Sequence, residues 1–170
     1  DVYLSKWFGD GSQNNLGIMS RLPAVTIDLD SKADGGRSVE AWDAAHPEFA
    51  AVPAERTGGG MHYHIICPDV PPAAVDLVGK GGKLVSQLND AVTAEVFLAG
   101  NVTVTPSVHP SGHKYRWVRV GPIPQMPWAD LCRLLHLSLR PKTRQTDPFS
   151  GGRWWEQFRG DVTTLDIVAL

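Results

Sequence analysis

The chain has 170 residues, 42% of them hydrophobic and 20% charged, which is enough apolar material for one cored domain and excludes a disordered or collagen-like polypeptide. Its formal charge of -2 does not mark an avid nucleic-acid binder, and no apolar run is long enough to span a bilayer. No signal-peptide pattern opens the chain and its two cysteines, Cys67 and Cys132, make no disulfide framework, so a soluble cytoplasmic protein with free thiols is expected.

The first predicted strand covers residues 24–29, where Val25, Ile27 and Leu29 alternate with Thr26, Asp28 and Asp30. Side chains two apart share a strand face, so two carboxylates stand together opposite an apolar face. Hard oxygen donors so placed suit magnesium or manganese, and paired ions of this kind drive phosphoryl transfer. The competing reading is a strand that runs into a polar turn with Asp30 as a turn former. A helix follows over 39–45, with Ser38 as its predicted N-cap.

The stretch Arg56-Thr57-Gly58-Gly59-Gly60 then feeds a strand over 61–66. Glycines expose backbone N–H groups and permit close approach of a phosphate, and Arg56 adds a fork of donors. His62 and His64 share a face of that strand and are suited to a triphosphate or a metal, although a strand histidine is often a structural hydrogen-bonder. After the turn Gly79-Lys80-Gly81-Gly82-Lys83 come strands over 93–98 and 102–105. Glu95 is an acid in an otherwise apolar strand, so it lies either on the solvent face or in a site; if it meets Asp28 and Asp30, the three complete a two-metal centre.

The Pro-bracketed loop 106–112 holds Ser107 and His109, either in a binding role or capping backbone groups of a hairpin. It leads to a strand over 114–120 that alternates basic and aromatic residues, suited to base stacking and phosphate contact. Helices are expected over 128–138, over 154–159 and at the C-terminus; Cys132 and His136, with Cys67, make only a faint zinc pattern. Lys114, Arg116, Arg119, Arg133, Arg140, Lys142 and Arg144 face a single acid, Asp130, between 113 and 144, so a local basic face is possible. Strands in the middle and helices at the end point to an α+β fold. The lack of an initial methionine and the apolar run at 163–170 suggest a piece of a longer polypeptide.

Taken in order, Asn15-Leu16-Gly17-Ile18, Ile27-Asp28-Leu29-Asp30, Arg56-Thr57-Gly58-Gly59-Gly60-Met61-His62, Glu95-Val96, Pro106-Ser107-Val108-His109-Pro110-Ser111-Gly112 and Tyr115-Arg116-Trp117 resemble the bifunctional primase–polymerase domain of phage and plasmid replication proteins, within the archaeo-eukaryotic primase superfamily. The resemblance implies an RRM-like catalytic sheet of archaeo-eukaryotic primase type, a second small α/β lobe and C-terminal helices, with a catalytic domain over 1–140 and a linker and helical segment over 141–170. It implies that Asp28, Asp30 and Glu95 are catalytic and hold two Mg²⁺ or Mn²⁺ ions, and that His62 contacts the nucleotide phosphates.

Ser107 and His109 match a further loop expected at the triphosphate or sugar, and which imidazole is the main phosphate ligand stays open. Arg56, Gly59, Gly60 and His64 complete the expected nucleotide site, and Lys80, Lys83, Lys114 and Arg116 are the expected contacts to template or primer. Implied partners are single-stranded DNA template and primer, nucleoside triphosphates and a helicase domain in the full-length protein. Two other readings compete: a rolling-circle-type nickase built on His62-Tyr63-His64, which needs a nucleophilic tyrosine on a helix, and a non-catalytic RRM-like nucleic-acid-binding module.

Overall fold

The computed structural model of the chain defines residues 15–78 and 81–139. Lys80, the predicted helix over 154–159, the C-terminal helix and the tail 141–170 lie outside the described residues.

The predicted first strand is the second half of a longer one, β1 (Leu16–Asp30). Opposite β5 (Thr93–Val104), Arg21 pairs with Ala99 and Thr26 with Phe97, so Leu22, Pro23, Ala24 and Val25 stand across from Leu98 alone. Pro23 has no N–H to give a ladder, and a bulge is where a strand tolerates it. The bulge divides β1 into two paired halves; the sequence pattern reveals only the second, where apolar alternation is strict.

The remaining strands and α-helices among the described residues are α1 (Arg37–Ala45), β2 (Ala54–Arg56), β3 (Gly60–Ile66), α2 (Pro72–Leu77), β4 (Lys83–Gln87), β6 (Arg116–Arg119) and α3 (Trp128–Leu134). The strands form one antiparallel sheet in the order β4-β5-β1-β3-β2-β6. The fold is therefore α+β, as expected. All six strands join one sheet, and the separate second lobe is not found among the described residues.

Several local expectations need correction. The strands predicted over 93–98 and 102–105 are one strand, because Gly100 takes φ +113, which other residues avoid, and so stays in register opposite Ser20. The strand predicted over 114–120 keeps its ladder only over 116–119, and the helix predicted over 128–138 ends at Leu134. Ser38 is not the N-cap of α1, which starts behind Gly36. The orphan N–H groups there are met by Asp34, whose carboxylate accepts from the N–H groups of Gly36 (3.0 Å) and Ser38 (3.0 Å). Hydroxyls of Ser31 and Ser38 also donate to Asp34, and these bonds hold its carboxyl well below the usual carboxylate range.

The period of two decides what each sheet face does. Val25, Ile27 and Leu29 of β1, Met61, Tyr63 and Ile65 of β3, and Ala94, Val96 and Leu98 of β5 all point to one side and are buried. Val39 and Trp42 of α1, Phe49, and Leu131 and Leu134 of α3 belong to the same core. Trp42, Phe49 and Tyr63 pack edge to face, with centroids 5.1–6.5 Å apart. Burying these side chains supplies about 1.5–3 kcal/mol each. The opposite face is thereby left to the polar members of the same strands.

Candidate active site

Antiparallel register aligns the polar face into rows. Asp28 is the partner of Glu95 on one side and of His62 on the other, and His62 is the partner of Glu55, which pairs in turn with Trp117. Directly paired residues share a face, so Glu95, Asp28 and His62 lie side by side, with Asp30 two residues along the same strand. They line an open cleft of about 460 Å³ together with Lys83, Thr57, Gly58, Gly59, His109, Ser111 and Tyr115.

Charge in the cleft is partly balanced by the protein itself. Lys83 Nζ forms an ion pair with the Glu95 carboxylate and lies 5.2 Å from the Phe97 ring centroid. His62 Nε2 is 3.5 Å from Asp28 Oδ1, whereas its Nδ1 is buried with no hydrogen-bond partner. A buried orphan nitrogen is costly and is the kind of group a functional site retains. Burial pushes the Tyr115 phenol up, and the charges of Asp28, Asp30 and Glu55 add to the shift.

The donor set fits a hard divalent ion in kind, being carboxylate oxygens on two adjoining, rigidly paired strands. Yet the acids do not close on one point as they stand: among the described residues no three His, Cys, Asp or Glu side chains form a metal-holding cluster. Glu95 is turned to Lys83 instead.

Each glycine of the turn before β3 has its own reason. Thr57 closes the turn reciprocally, its N–H donating to the Gly60 carbonyl and its hydroxyl accepting from the Gly60 N–H, both at 3.0 Å. A Cβ on Gly60 would lie 1.7 Å from the Leu29 carbonyl oxygen, so only glycine lets β3 pair with β1 here. At Gly58 a Cβ would meet the His109 ring at 2.6 Å; the bare backbone is the surface on which that imidazole rests. The Gly59 carbonyl accepts from the Ser31 N–H at 2.9 Å, tying the turn to the segment just after Asp30.

The loop that carries His109 is clamped to the start of β1. Asn15 takes both polar groups of the Val108 backbone, accepting its N–H at 2.8 Å and donating to its carbonyl at 3.0 Å. Ser107 is buried and answers in kind, its hydroxyl accepting from the Leu16 N–H at 2.8 Å and donating to the Leu16 carbonyl at 3.1 Å. The Ser107 hydroxyl is thus spent on holding the loop, and two distant sequence motifs are one structural unit.

The other expected site residues fall outside the cleft. Arg56 follows Glu55 on β2 and so points to the opposite face, where it bonds Glu40 (2.6 Å) and the Gly35 carbonyl (3.0 Å). Arg116 is its cross-strand partner and shares that face. His64 is buried with Nε2 2.9 Å from Glu55 Oε1, and Lys114 is exposed beside the loop, bridged to Val108. Gly60 supports the cleft from β3 without lining it. Tyr63 lies on the core face and donates its hydroxyl to Asp43 at 3.0 Å; burial first, then Asp43, pushes that phenol far up, which suits a structural tyrosine rather than a nucleophile. Cys67 and Cys132 are free thiols, and burial, aided by Asp69, pushes the first up to about 12.

Thr57, Ser111 and Tyr115 line the cleft but did not stand out in the sequence as site residues. Tyr115 had a usable signal, since it lies two residues before Trp117 and directly after the His109 loop. Glu55 had none, being a lone acid in a three-residue strand.

No curated protein and no solved structure matches the chain. Residues 2–129 match the family described as bifunctional DNA primase/polymerase, N-terminal. That match spans more than half of the sequence and contains every acid, imidazole and glycine of the cleft, and the chain therefore belongs to the bifunctional DNA primase/polymerase N-terminal family.

Proposed function

We propose that this chain is a DNA-directed nucleotidyltransferase, a primase–polymerase whose chemistry takes place on the polar face of a sheet of archaeo-eukaryotic primase type. The observation that carries the reading is the single register row Glu95–Asp28–His62, with Asp30 beside it, opening into one cleft with His109. Asp28, Asp30 and Glu95 would hold two Mg²⁺ or Mn²⁺ ions, which supply an acidified 3′-hydroxyl and neutralise the phosphate charge that develops during transfer. His62 brings an imidazole to this row and to the cleft, a group suited to a phosphate oxygen. Gly58, Gly59 and His109 wall the side on which a triphosphate would lie. Lys83 fits a second task, since a cation that pairs with Glu95 in the free protein is positioned to turn to a phosphate when the acid is otherwise engaged.

The substrates on this reading are nucleoside triphosphates on a single-stranded DNA template with a primer. The setting is replication of a phage or plasmid genome in the host cytoplasm, with a helicase domain in the full-length protein. No helix among the described residues is long and apolar enough to cross a membrane. The nickase reading loses its nearest tyrosine, because Tyr63 is bonded to Asp43 on the far face of the sheet.

The test is incorporation of labelled nucleotide on single-stranded DNA in Mg²⁺ and in Mn²⁺, with and without a primer. Metal-dependent products from the native chain, reduced by at least about 10³-fold in Asp28→Ala, are expected on the scale of losing a principal transition-state electrostatic contact. Products that persist in Asp28→Ala would place the chemistry elsewhere, and product without primer would separate primase from polymerase.

A further inference from the structure

Beside the acids, the loop at the mouth of the cleft carries a chain of hydrogen bonds that runs from solvent inward. Ser111 Oγ lies 2.7 Å from His109 Nδ1 and 3.2 Å from His113 Nδ1, and the Ser111 backbone N–H donates to His109 Nδ1 at 3.1 Å. The turn that brings them together is closed by the His109 N–H to the His113 carbonyl (2.7 Å) and the Gly112 N–H to the His109 carbonyl (2.8 Å). At Gly112, φ is +87, a conformation that glycine adopts without strain.

The direction of the chain follows from counting protons. A backbone N–H can only donate, so His109 Nδ1 presents a lone pair and the neutral ring carries its hydrogen on Nε2. The Ser111 hydroxyl has one proton, and the short contact gives it to the same nitrogen. Toward His113 the hydroxyl oxygen is therefore the acceptor, and His113 Nδ1 is the donor. Every donor points toward His109, whose ring lines the cleft with Asp28 and Asp30 and whose remaining nitrogen, Nε2–H, is left as its donor. His113 is exposed and can take a proton from water, whereas His109 is partly buried against Gly58 and Tyr115.

We propose that His113, Ser111 and His109 form a proton wire that protonates the leaving pyrophosphate during nucleotidyl transfer, an inference that rests on the function proposed above. The primer hydroxyl oxygen forms its bond to the α-phosphorus and releases its proton to solvent. The bond from that phosphorus to the bridging oxygen breaks, with the electron pair staying on pyrophosphate. His109 Nε2 gives its proton to that oxygen, Ser111 gives its own to His109 Nδ1, and the His113 imidazolium gives its Nδ1 proton to Ser111. His113 ends neutral and is recharged by solvent. His109 is the catalytic residue in this step; Ser111 and His113 act through it. The titratable groups that share the cleft with the His109 ring are Asp28 and Asp30 of β1, His62 of β3, Lys83 of β4, Glu95 of β5 and the Tyr115 phenol.

Two measurements separate this wire from the reading beneath it. In the free protein, nitrogen-15 shifts of the imidazoles should show His109 with its proton on Nε2 and His113 protonated on Nδ1. Ser111→Ala, which keeps the backbone N–H but loses the hydroxyl donor, should shift the His109 Nδ1 resonance while its proton stays on Nε2, and Ser111→Thr, which keeps the hydroxyl, should restore the native shift. In single-turnover incorporation, Ser111→Ala and His113→Ala should slow transfer of a natural triphosphate by about 10²-fold, as for loss of general acid catalysis.

With a β,γ-difluoromethylene triphosphate, whose leaving group needs a proton less, the loss should shrink to a few-fold, with nucleotide KM unchanged throughout. Equal losses with both nucleotides, or a rise in KM alone, would make the loop a binding element and overturn the wire. A His109 found with its proton on Nδ1 would overturn it without any assay of activity. No transfer by the native chain would instead overturn the proposed function and with it the use of the wire, while the tautomer measurement would still decide whether the wire exists.

Discussion

Gly58 and Gly60 sit two residues apart in the same turn, yet what a methyl group meets at each is different. At Gly60 it meets the Leu29 backbone at 1.7 Å, and no rotamer relieves a clash with a carbonyl in a paired strand. Gly60→Ala must therefore part β1 from β3 beside Asp30, and a cost of about 1–3 kcal/mol or more, as for overpacking a core, is expected. At Gly58 the neighbour is a side chain, the His109 ring. Gly58→Ala should swing that imidazole aside with little effect on stability, but with a slower transfer step and a several-fold rise in nucleotide KM. Urea midpoints and steady-state kinetics on the two variants would check this; equal stability losses would mean that the turn, and not the individual contacts, is what matters. The sequence identifies the glycine run, but it assigns all three glycines to phosphate approach. Strand-to-strand and ring-to-backbone contacts depend on which chains lie behind the turn, and no local pattern contains that.

Among the elements, β1, β3, β5 and β6 were readable at least in part, and β2 and β4 were not. β1, β3 and β5 alternate strictly over their buried halves, so the face that carries Asp28, Asp30, His62 and Glu95 followed from the period of two. β2 and β4 are only three and five residues long, too short to show a pattern of their own, and they exist because a neighbour offers a ladder. The register of β2 has a definite consequence: the glycine-rich run by itself sets Arg56 beside His62, but it is adjacent Glu55 that faces that side.

Glu55 is fully buried, accepting from the Thr105 N–H at 2.5 Å and bonded to His64, and so ties β2 to β3 and to the end of β5. Burial alone would raise its pKa, but the bonds from His64 and Thr105 outweigh that and hold the carboxyl below its ordinary value of 4.5. A carboxyl depressed by folding adds stability above its unfolded pKa, and that stability is lost as pH falls through the folded value. Glu55→Ala should cost about 3–5 kcal/mol, as for a buried pair that loses one member. Glu55→Gln, which still accepts from Thr105, should cost less and flatten the loss of stability below about pH 4.5. An unchanged acid limb in Glu55→Gln would assign that limb to other carboxylates.

At the scale of the whole molecule, one sheet separates two tasks. One face is sealed by α1, α3 and the aromatic cluster around Tyr63, and the other gathers acids and imidazoles on its most heavily paired strands. Rigidity for the site thus comes from the core behind it, and the cost is like charge held together: Asp28, Asp30 and Glu95 share a cleft in which Lys83, His62 and His109 are the cations or potential cations. A divalent ion should relieve that repulsion and bind the folded chain only, since the unfolded chain has no reason to bring β1 and β5 together. Mn²⁺ at about 100 times its dissociation constant should then add about 2.7 kcal/mol of stability, roughly 5–11 °C in Tm for a chain of this size. Asp28→Asn should abolish the shift, and EDTA should reverse it in the native chain. Because melting needs neither nucleotide nor template, an equal Mn²⁺ shift in both proteins would send the ion elsewhere whatever the incorporation assay reports. A shift that vanishes only in the variant would tie metal affinity to the central row of the sheet.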